Sequence, residues 1–427
     1  MRGLELPSID DLRPRLIRPF RPEEVTTRSD REVDPRKVGL AKEDVDAIWR
    51  SVVRCYRGRL YPAISVCVRR RGEIVLDRTI GHVSGNAPED PVDAPLVQAT
   101  PKSLFNFFSG SKAITAMLVH LCHERELLHV DEPVATFLPE FGHKRKHRIT
   151  IRDVLNHRAG IPLVPSDALD LDLLTKPEEI LRAICDLEPI SSPGGSPAYH
   201  ALTGGFVLAA VIERVTGKDI RRFITDEIRA PLGFDALNYG VPPERLPEVA
   251  VEAFTGPMPF GPHKFLIERA LGFGMPELVA KANDPRYRTS VVPAGNIIAT
   301  AEEVSRFFEI LNNGGSLNGK HVFSARTIKR AVRPEVVGEF DRVLMMPVPY
   351  SMGFMLGGEL YGFYGPNAPK AFGHLGFTNV LGWADPERDI ACAVMTSGKP
   401  LISTRMLLWM DIMRTIATRI PRDRRES

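Results

Sequence analysis

Hydrophobic and polar positions near the start of the chain predict a helix followed by a β-hairpin. Apolar residues recur at helical spacing over residues 42–56. Two runs rich in β-branched residues follow, at 63–69 and 74–80, and the short polar connection between them is typical of a hairpin. Ahead of them we predict one further short helix, over residues 10–20.

The middle of the chain has the pattern of successive helices. Thr150 is followed three residues later by Asp153, a capping-box spacing that predicts a helix start. The apolar run 204–216 ends at Gly217, the residue type expected at a helix C-terminus. The segment 254–290 is rich in glycine and proline and interrupts this pattern, so we predict a lid-like insertion over a pocket.

Strand patterns return towards the C-terminus. After a helix that begins with a second capping box at Thr300 and Glu303, the runs 378–384 and 389–396 flank a turn and predict another hairpin. A last helix is predicted over 404–418. Its expected apolar face consists of Leu407, Leu408, Met410, Ile412, Met413 and Ile416.

Strands at both ends of the chain and helices in the middle predict a mixed α/β (α+β) fold. One antiparallel sheet, flanked by N- and C-terminal helices, would carry an inserted all-helical lobe. We expect an N-terminal extension over residues 1–40 and one folded domain over 41–420. Within that domain, 41–108 and 291–420 are expected to form the sheet part and 109–290 the helical lobe.

Composition and charge exclude several classes of function. The chain has 427 residues, of which 43% are hydrophobic and 26% charged, as in a globular protein large enough for two lobes. Its net charge of only +3 gives no electrostatic reason to bind nucleic acid. Five scattered cysteines favour free thiols in a reducing compartment. Since neither a signal peptide nor a membrane-spanning run is visible, we predict a cytoplasmic protein whose oligomeric state stays open.

Ser109 and Lys112 form the only Ser-x-x-Lys of the chain, at the start of an apolar run. Residues three apart share a helix face, so the hydroxyl and the ammonium can meet. A serine becomes nucleophilic when a neighbouring base accepts its proton, and N–H groups at a helix start favour an oxyanion. An N-cap serine beside a solvated lysine has the same spacing, which leaves both interpretations open at this point.

Three segments in order resemble the serine β-lactamase and penicillin-binding-protein superfamily. Ser109-Gly-Ser-Lys112 resembles its nucleophile motif, Tyr199-His-Ala201 its Tyr-x-Asn element, and His374-Leu-Gly376 its Lys/His-x-Gly strand. The resemblance runs from about residue 42 to 415 and is nearest to the class-C-like branch, which includes class VIII carboxylesterases. It implies a β-lactamase-like fold for the domain.

The resemblance implies a role for each reactive side chain. Ser109 would be the nucleophile that forms an acyl-enzyme, and Lys112 would share its proton if burial or neighbouring cations lower the pKa of the amine. Tyr199 is a second candidate base, with a phenolate favoured by neighbouring cations; its alternative is a core tyrosine with a satisfied hydroxyl. His374 would line the pocket edge.

The resemblance also implies how substrate is held. The backbone N–H groups of Ser109 and Phe377 would form the oxyanion hole, and Gly376 would let the backbone approach the substrate closely. Ala201 stands where the superfamily has asparagine, and His374 where β-lactamases commonly have lysine. Both departures weaken recognition of charged, amide-bearing antibiotics, and they favour esters.

These residues predict a serine carboxylesterase or lipase-like hydrolase that acts on a small-molecule ester with an apolar acyl chain. β-Lactam or D-amino-acid peptide hydrolysis, acyl transfer and a non-catalytic binding scaffold remain as alternatives. No cofactor is implied and no metal site is predicted, because His120-x-x-His123 has no obvious third ligand. The apolar side chains expected to form the acyl pocket are Phe254, Met258, Phe260, Phe265, Leu266, Leu271 and Phe273.

Overall fold

One antiparallel sheet, built from both ends of the chain, organises the structure. The structure is a computed structural model and describes residues 14–163, 170–259, 274–360, 362–401 and 403–423. The sheet strands are β1 (Thr26–Arg28), β2 (Ala63–Arg70), β3 (Glu73–Ser84), β4 (Met355–Leu356), β5 (Phe372–Gly376), β6 (Val380–Asp385) and β7 (Ile390–Thr396). Their order is β1-β3-β2-β7-β6-β5-β4, with Val97–Gln98 paired to β3 beside this path. The predicted sheet is confirmed, and β2 and β7 join the two chain ends at its centre.

Helices cover both faces of the sheet. On one face, α1 (Lys42–Arg57) packs against the C-terminal helix, α5 (Leu407–Arg419). On the other face lies α4 (Ala301–Asn312), against β2, β6 and β7. Because side chains alternate along a strand, Val66 and Val68 join the core under α1 and α5, whereas Cys67 joins the core under α4.

The segment between the two sheet parts is mostly helical. Its longest helices, α2 (Ser111–Glu124) and α3 (Thr203–Thr216), pack against each other. It is not all-helical as predicted, because Asn238–Tyr239 pairs with Ile297–Ala299, which in turn pairs with Phe105–Asn106. This small ladder fixes the chain just ahead of Ser109.

Shorter elements complete the described part of the chain. Further α-helices span Val134–Phe137, Ile151–Leu155, Pro177–Cys185, Ile220–Ile224, Ala230–Leu232, Met275–Asn283, Pro285–Thr289 and Ala325–Ala331. Helical turns of 3₁₀ type span Pro35–Val38, Phe108–Gly110, Pro139–Gly142, Leu171–Thr175, Pro243–Glu248 and Thr404–Met406, and a π turn spans Thr225–Arg229. Two small hairpins pair Ser316–Leu317 with Lys320–His321 and Phe340–Asp341 with Met346–Pro347.

Helix ends follow the capping signals of the sequence. The Thr150 hydroxyl accepts a hydrogen bond from the Asp153 N–H at 3.1 Å, and the Asp153 carboxylate accepts one from the Thr150 N–H at 2.9 Å. Thr300 and Glu303 form the same box at the start of α4. Gly217 ends α3 with a φ of 69°, a conformation that glycine adopts without strain. Such a cap contributes about 1 kcal/mol of stability.

The N-terminal extension is more closely integrated than predicted. β1 pairs with β3 along the edge of the sheet, and Ile17 and Val25 are buried in the core under α1 and α5. The predicted helix over 10–20 is wrong where the structure describes it, because residues 14–20 contain no helix and Arg15 forms a β-bridge with Gly256. The remainder of that prediction lies outside the described residues.

All five cysteines are buried and carry free thiols, which agrees with the expectation that no disulfides hold the fold. Burial raises the pKa of the Cys122 thiol to about 12 and that of Cys185 to about 11. Among the residues described, no helix is long and apolar enough to cross a bilayer. The cytoplasmic location stays a prediction.

Candidate active site

Ser109 lies on a tight turn that immediately precedes α2. Phe108 enters the turn with a φ of 45°, which residues with a side chain seldom adopt. The Asn106 side-chain carbonyl holds this conformation by accepting a hydrogen bond from the Phe108 N–H at 3.0 Å. Gly110 is required, because a Cβ there would lie 2.3 Å from the Phe107 ring. The turn therefore presents the serine at the helix start, as the sequence predicted.

Lys112 is one helical turn away and meets Ser109. Its Nζ lies 3.0 Å from Ser109 Oγ, 2.8 Å from the Ala201 carbonyl oxygen and 3.0 Å from the Ala294 carbonyl oxygen. An ammonium has three N–H donors, whereas a neutral amine has two donors and one lone pair. The two carbonyls can only accept, so in the neutral amine the lone pair faces the serine O–H. This arrangement suits a base that removes the serine proton.

The protonation state of Lys112 agrees with that role. Burial lowers the pKa of the Lys112 amine to about 7, because the charged form loses its hydration. Three neighbouring histidines stay neutral at that pH: burial lowers the pKa of His200 and of His374 to about 3, and that of His157 well below its usual value. Lys112 is therefore the group beside Ser109 that changes charge near neutrality.

We expect kcat/KM for an uncharged ester to fall about tenfold per pH unit below a midpoint of about 7, because protonated Lys112 cannot accept the serine proton. The sign follows from the lowered pKa: the active amine is the deprotonated form, which dominates above the midpoint. A pH–rate profile from about pH 5 to about pH 9, with circular dichroism at each pH, measures it. A flat profile would assign the base to another group.

Tyr199 stands on the other side of the nucleophile. Burial raises the pKa of its phenol, while a hydrogen bond with the Ser109 hydroxyl acts in the opposite direction. The Lys112 amine lies over the Tyr199 ring, 4.8 Å from its centroid, and the Asp341 carboxylate adds to burial in raising the pKa of the phenol. The structure favours a neutral phenol, in contrast to the phenolate that the sequence suggested. In this form the hydroxyl donates a proton rather than taking one.

Asp341 positions the segment that carries Tyr199. This buried carboxylate accepts hydrogen bonds from the Tyr199 N–H at 3.2 Å, the Val343 N–H at 2.8 Å and the Tyr350 hydroxyl at 3.0 Å. The small hairpin Phe340–Asp341 and Met346–Pro347 brings it there. Sequence analysis missed Asp341, because an isolated aspartate far along the chain carries no motif.

Two histidines pack behind Tyr199. The His157 ring lies 4.6 Å from the Tyr199 ring, and His157 Nδ1 accepts a hydrogen bond from the His200 N–H at 3.1 Å. His200 Nε2 accepts a hydrogen bond from the Ile161 N–H at 3.2 Å, so its Nδ1 carries the proton and faces His157 Nδ1 at 3.3 Å. This neutral pair fixes the Tyr-x-Asn-like segment. His157 therefore acts here as a hydrogen-bond acceptor that holds the backbone beside Tyr199.

His374 is buried beside Tyr199, with 6.3 Å between the ring centroids. Its Nδ1 donates a hydrogen bond to the Leu375 carbonyl at 2.7 Å, and Lys112 adds to burial in keeping the imidazole uncharged. His374 is not among the described residues that line the large cavity next to Ser109. It therefore supplies no positive charge to a substrate carboxylate at neutral pH.

Strand β5 brings the second predicted oxyanion donor towards Ser109. A Cβ on Gly376 would lie 2.4 Å from the Phe107 carbonyl oxygen, so only glycine lets the strand approach the nucleophile turn this closely. Phe377 follows at the end of β5, and its ring contacts the Phe108 ring at 5.9 Å. Ser109, Gly376 and Phe377 line the same cavity. The oxyanion hole itself stays a prediction that this proximity supports.

The cavity beside Ser109 has a volume of about 880 Å³. Most of its described lining is apolar, with side chains from the 343–346 segment, the 360–366 segment and the start of α5. Phe254 and Met258, expected to form the acyl pocket, pack instead with Met275 and Val279 and do not line this cavity within the described residues. The other predicted pocket residues, Phe260, Phe265, Leu266, Leu271 and Phe273, lie outside the described residues, so the lid over 254–290 stays a prediction.

Comparisons with known proteins agree with this architecture. A family model described as Beta-lactamase matches residues 49–415. The Mycobacterium tuberculosis protein "Esterase/beta-lactamase LipL" is 28% identical, with the match covering 86% of this chain and 85% of that protein.

Two solved structures share the fold. A penicillin-binding protein homologue from Caulobacter crescentus superposes with a TM-score of 0.77 at 24% identity, over 89% of this chain and 99% of its own. A family VIII carboxylesterase gives a TM-score of 0.73 at 23% identity, over 88% of this chain and 98% of its own.

Proposed function

The chain belongs to the β-lactamase family and has the β-lactamase-like fold that its sequence predicted, and on this premise we propose that it is a serine hydrolase of carboxylic esters. The observation that carries the proposal is the contact between Lys112 Nζ and Ser109 Oγ at the wall of an apolar cavity. The esterase names of its relatives support the same class of reaction.

Acylation uses the groups that the site brings together. Ser109 Oγ attacks the ester carbonyl carbon while its proton passes to the neutral Lys112 amine. The negative charge that develops on the carbonyl oxygen is stabilised by the N–H groups of Ser109 and Phe377. The C–O bond then breaks, and the Tyr199 hydroxyl donates its proton to the departing alkoxide, which leaves as an alcohol. The protonated amine restores the Tyr199 proton, so the amine is neutral again.

Deacylation repeats these steps with water as the nucleophile. The neutral amine of Lys112 accepts a proton from water as the water oxygen attacks the acyl carbon, and it later returns this proton to Ser109 Oγ. The bond to Ser109 Oγ breaks, the serine regains its proton, and the carboxylic acid leaves. No further group is needed to balance either half-reaction.

Three features favour an ester over an amide or an anionic substrate. His374 is neutral, so the position where β-lactamases commonly have lysine offers no cation to a substrate carboxylate. Ala201 contributes a carbonyl to Lys112 but has no side-chain amide to hold an acylamide group. The adjoining cavity is large and apolar, which suits an acyl chain.

We expect kcat/KM for p-nitrophenyl esters to increase with acyl length from acetate, by up to about fourfold per added methylene, because each one buries further apolar surface. A series of straight-chain esters measures this, with a common leaving group so that only the acyl chain varies. A flat or falling series would show that the cavity does not hold the acyl chain.

Hydrolysis of β-lactams is the second candidate, because the relative from M. tuberculosis carries β-lactamase in its name. Nitrocefin assayed beside the ester series separates the two, and we expect the esters to be the faster substrates. Faster nitrocefin turnover would favour the β-lactamase reading. Ester product formed with an added alcohol, in place of acid, would favour acyl transfer.

A further inference from the structure

We propose that an anionic lipid bilayer docks at the mouth of the cavity beside Ser109, and that the ester substrate is drawn from this surface. Docking itself is independent of the chemistry, whereas the origin of the substrate rests on the proposed ester hydrolysis. Two adjoining surface features carry the inference: an apolar rim around the opening and a cleft of arginines next to it.

The rim consists of five large apolar side chains that line the cavity and yet face solvent. Leu360 is 80% exposed, Leu407 64%, Met410 56%, Met345 49% and Met346 41%. They come from three separate segments of the chain, so their convergence is a property of the fold. Apolar side chains gathered at one opening mark a surface that is covered in use.

Helix α5 shows that this exposure is specific to one side. Ile412, Met413 and Ile416 are buried in the core, whereas Leu407 and Met410 are exposed. The sequence predicted all five on one apolar face; the structure divides them between the core and the rim.

The helix also links the rim to positive charge. Arg414 is four residues after Met410, so it continues the exposed face of α5. It lines the cavity together with Leu407 and Met410, and it also lines the neighbouring cleft between α1 and α5. The apolar rim therefore passes directly into the cleft.

The cleft, of about 360 Å³, is lined by four arginines: Arg50, Arg54, Arg414 and Arg419. Asp411 pairs with Arg54 and Arg414, each at 2.5 Å, and Asp44 pairs with Arg419 at 3.8 Å. Three of the four guanidinium groups thus pair with two carboxylates, and Arg50 has no ion pair among the described residues, so the arginines outnumber the carboxylates that pair with them. Because exposed ion pairs contribute little free energy, these arginines can exchange their carboxylate partners for other anions.

This combination matches the boundary of an anionic bilayer. Apolar side chains enter the region between headgroups and acyl chains, while arginines beside them contact the phosphates. A second copy of the chain fits less well, because a twofold contact would bring like-charged clefts close together. A second copy would also close the opening that leads to Ser109.

Flotation with lipid vesicles tests the docking. The full chain carrying Ser109→Ala, which needs no turnover, is mixed with vesicles of phosphatidylcholine alone or with phosphatidylglycerol added. We expect flotation only with phosphatidylglycerol, weakened by salt. Leu407→Ser with Met410→Ser should lower the vesicle partition at least about tenfold. Arg50→Gln with Arg419→Gln should lower it by about fivefold per charge removed.

Val92→Ser with Ile190→Ser is the matched control, because both side chains are exposed and neither lines the rim or the cleft. Melting temperatures of all variants confirm that they are folded.

Two flotation results overturn the inference. One is the absence of flotation with any vesicle, and the other is flotation that the rim and cleft variants leave unchanged. A dimer in sedimentation that Leu407→Ser dissociates also overturns it and assigns the rim to a second copy. Because docking is measured without turnover, ester hydrolysis without docking contradicts this inference alone, and docking without ester hydrolysis contradicts the proposed function alone.

Discussion

Replacing Ser109 with alanine is expected to lower kcat/KM for p-nitrophenyl esters by about 10⁴-fold or more, because Ser109 carries the hydroxyl that contacts the Lys112 base and forms the acyl-enzyme. The alanine also removes the partner of the Lys112 amine at 3.0 Å and the hydroxyl that hydrogen-bonds Tyr199. Initial rates with a short, soluble ester measure the loss, and a fluorophosphonate followed by mass spectrometry should modify the wild type at Ser109.

Ser111→Ala is the matched control for this substitution. Ser111 is a buried serine two residues along, whose Oγ accepts a hydrogen bond from the Ile297 N–H at 2.9 Å. Its removal is expected to cost about 1 kcal/mol of stability while most of the ester activity is kept. Turnover that survives in Ser109→Ala, or a fluorophosphonate adduct on another residue, would refute the assignment of the nucleophile.

Replacing Lys112 with methionine is expected to lower kcat/KM by about 10²- to 10⁴-fold, the range that general-base catalysis supplies. Methionine keeps much of the length and the apolar stem, but it has no lone pair of comparable basicity to accept the serine proton. The acid limb of the pH–rate profile, with its midpoint of about 7, should vanish together with the lysine. The same ester assay and the same pH series measure both effects.

Lys146→Met provides the corresponding control for a buried lysine. Lys146 donates hydrogen bonds to the carbonyls of Cys185 at 2.7 Å and Leu187 at 2.5 Å, as Lys112 does to Ala201 and Ala294, but it does not contact Ser109. Its loss should reduce the melting temperature and leave the pH midpoint unchanged. If both lysine variants lost activity equally at equal stability loss, the effect of Lys112 would be structural rather than catalytic.

The architecture was predictable wherever local signals and global packing agree. The capping boxes at Thr150 and Thr300, the stop at Gly217 and the two hairpins each rest on interactions within a few residues. Such signals are visible in a sequence because both partners are close together in it. Each hairpin places its two strands side by side, and the pairing of β2 with β7 joins the two hairpins into one sheet.

Parts of the fold that depend on distant partners were not predictable. β1 has only three residues and forms because β3 offers an edge to it. Residues 14–20 are not helical, and the N–H groups of Arg15 and Ile17 donate hydrogen bonds to the carbonyls of Gly256 and Arg59. Those partners are far away in the sequence, so the local pattern does not indicate them. The helical spacing of apolar residues in this segment was therefore misleading.

The features of the site likewise fall into those that the sequence predicts and those that depend on the whole fold. Ser109 and Lys112 meet across one helical turn, so their spacing contains the geometry. The neutrality of Tyr199 and His374 is a consequence of burial, which the motifs do not encode. Asp341 and the cavity lining are contributed by loops whose positions are set by the whole fold.

The five buried thiols determine how movements of this protein can be followed by spectroscopy. A maleimide dye reacts with an accessible thiolate, and none of the native cysteines offers one, since each is buried and burial raises its pKa. A cysteine introduced at the rim would therefore carry the fluorophore alone, without removal of any native cysteine. The fluorescence of the dye would change as water leaves the opening. The rate of that change would measure substrate binding independently of turnover.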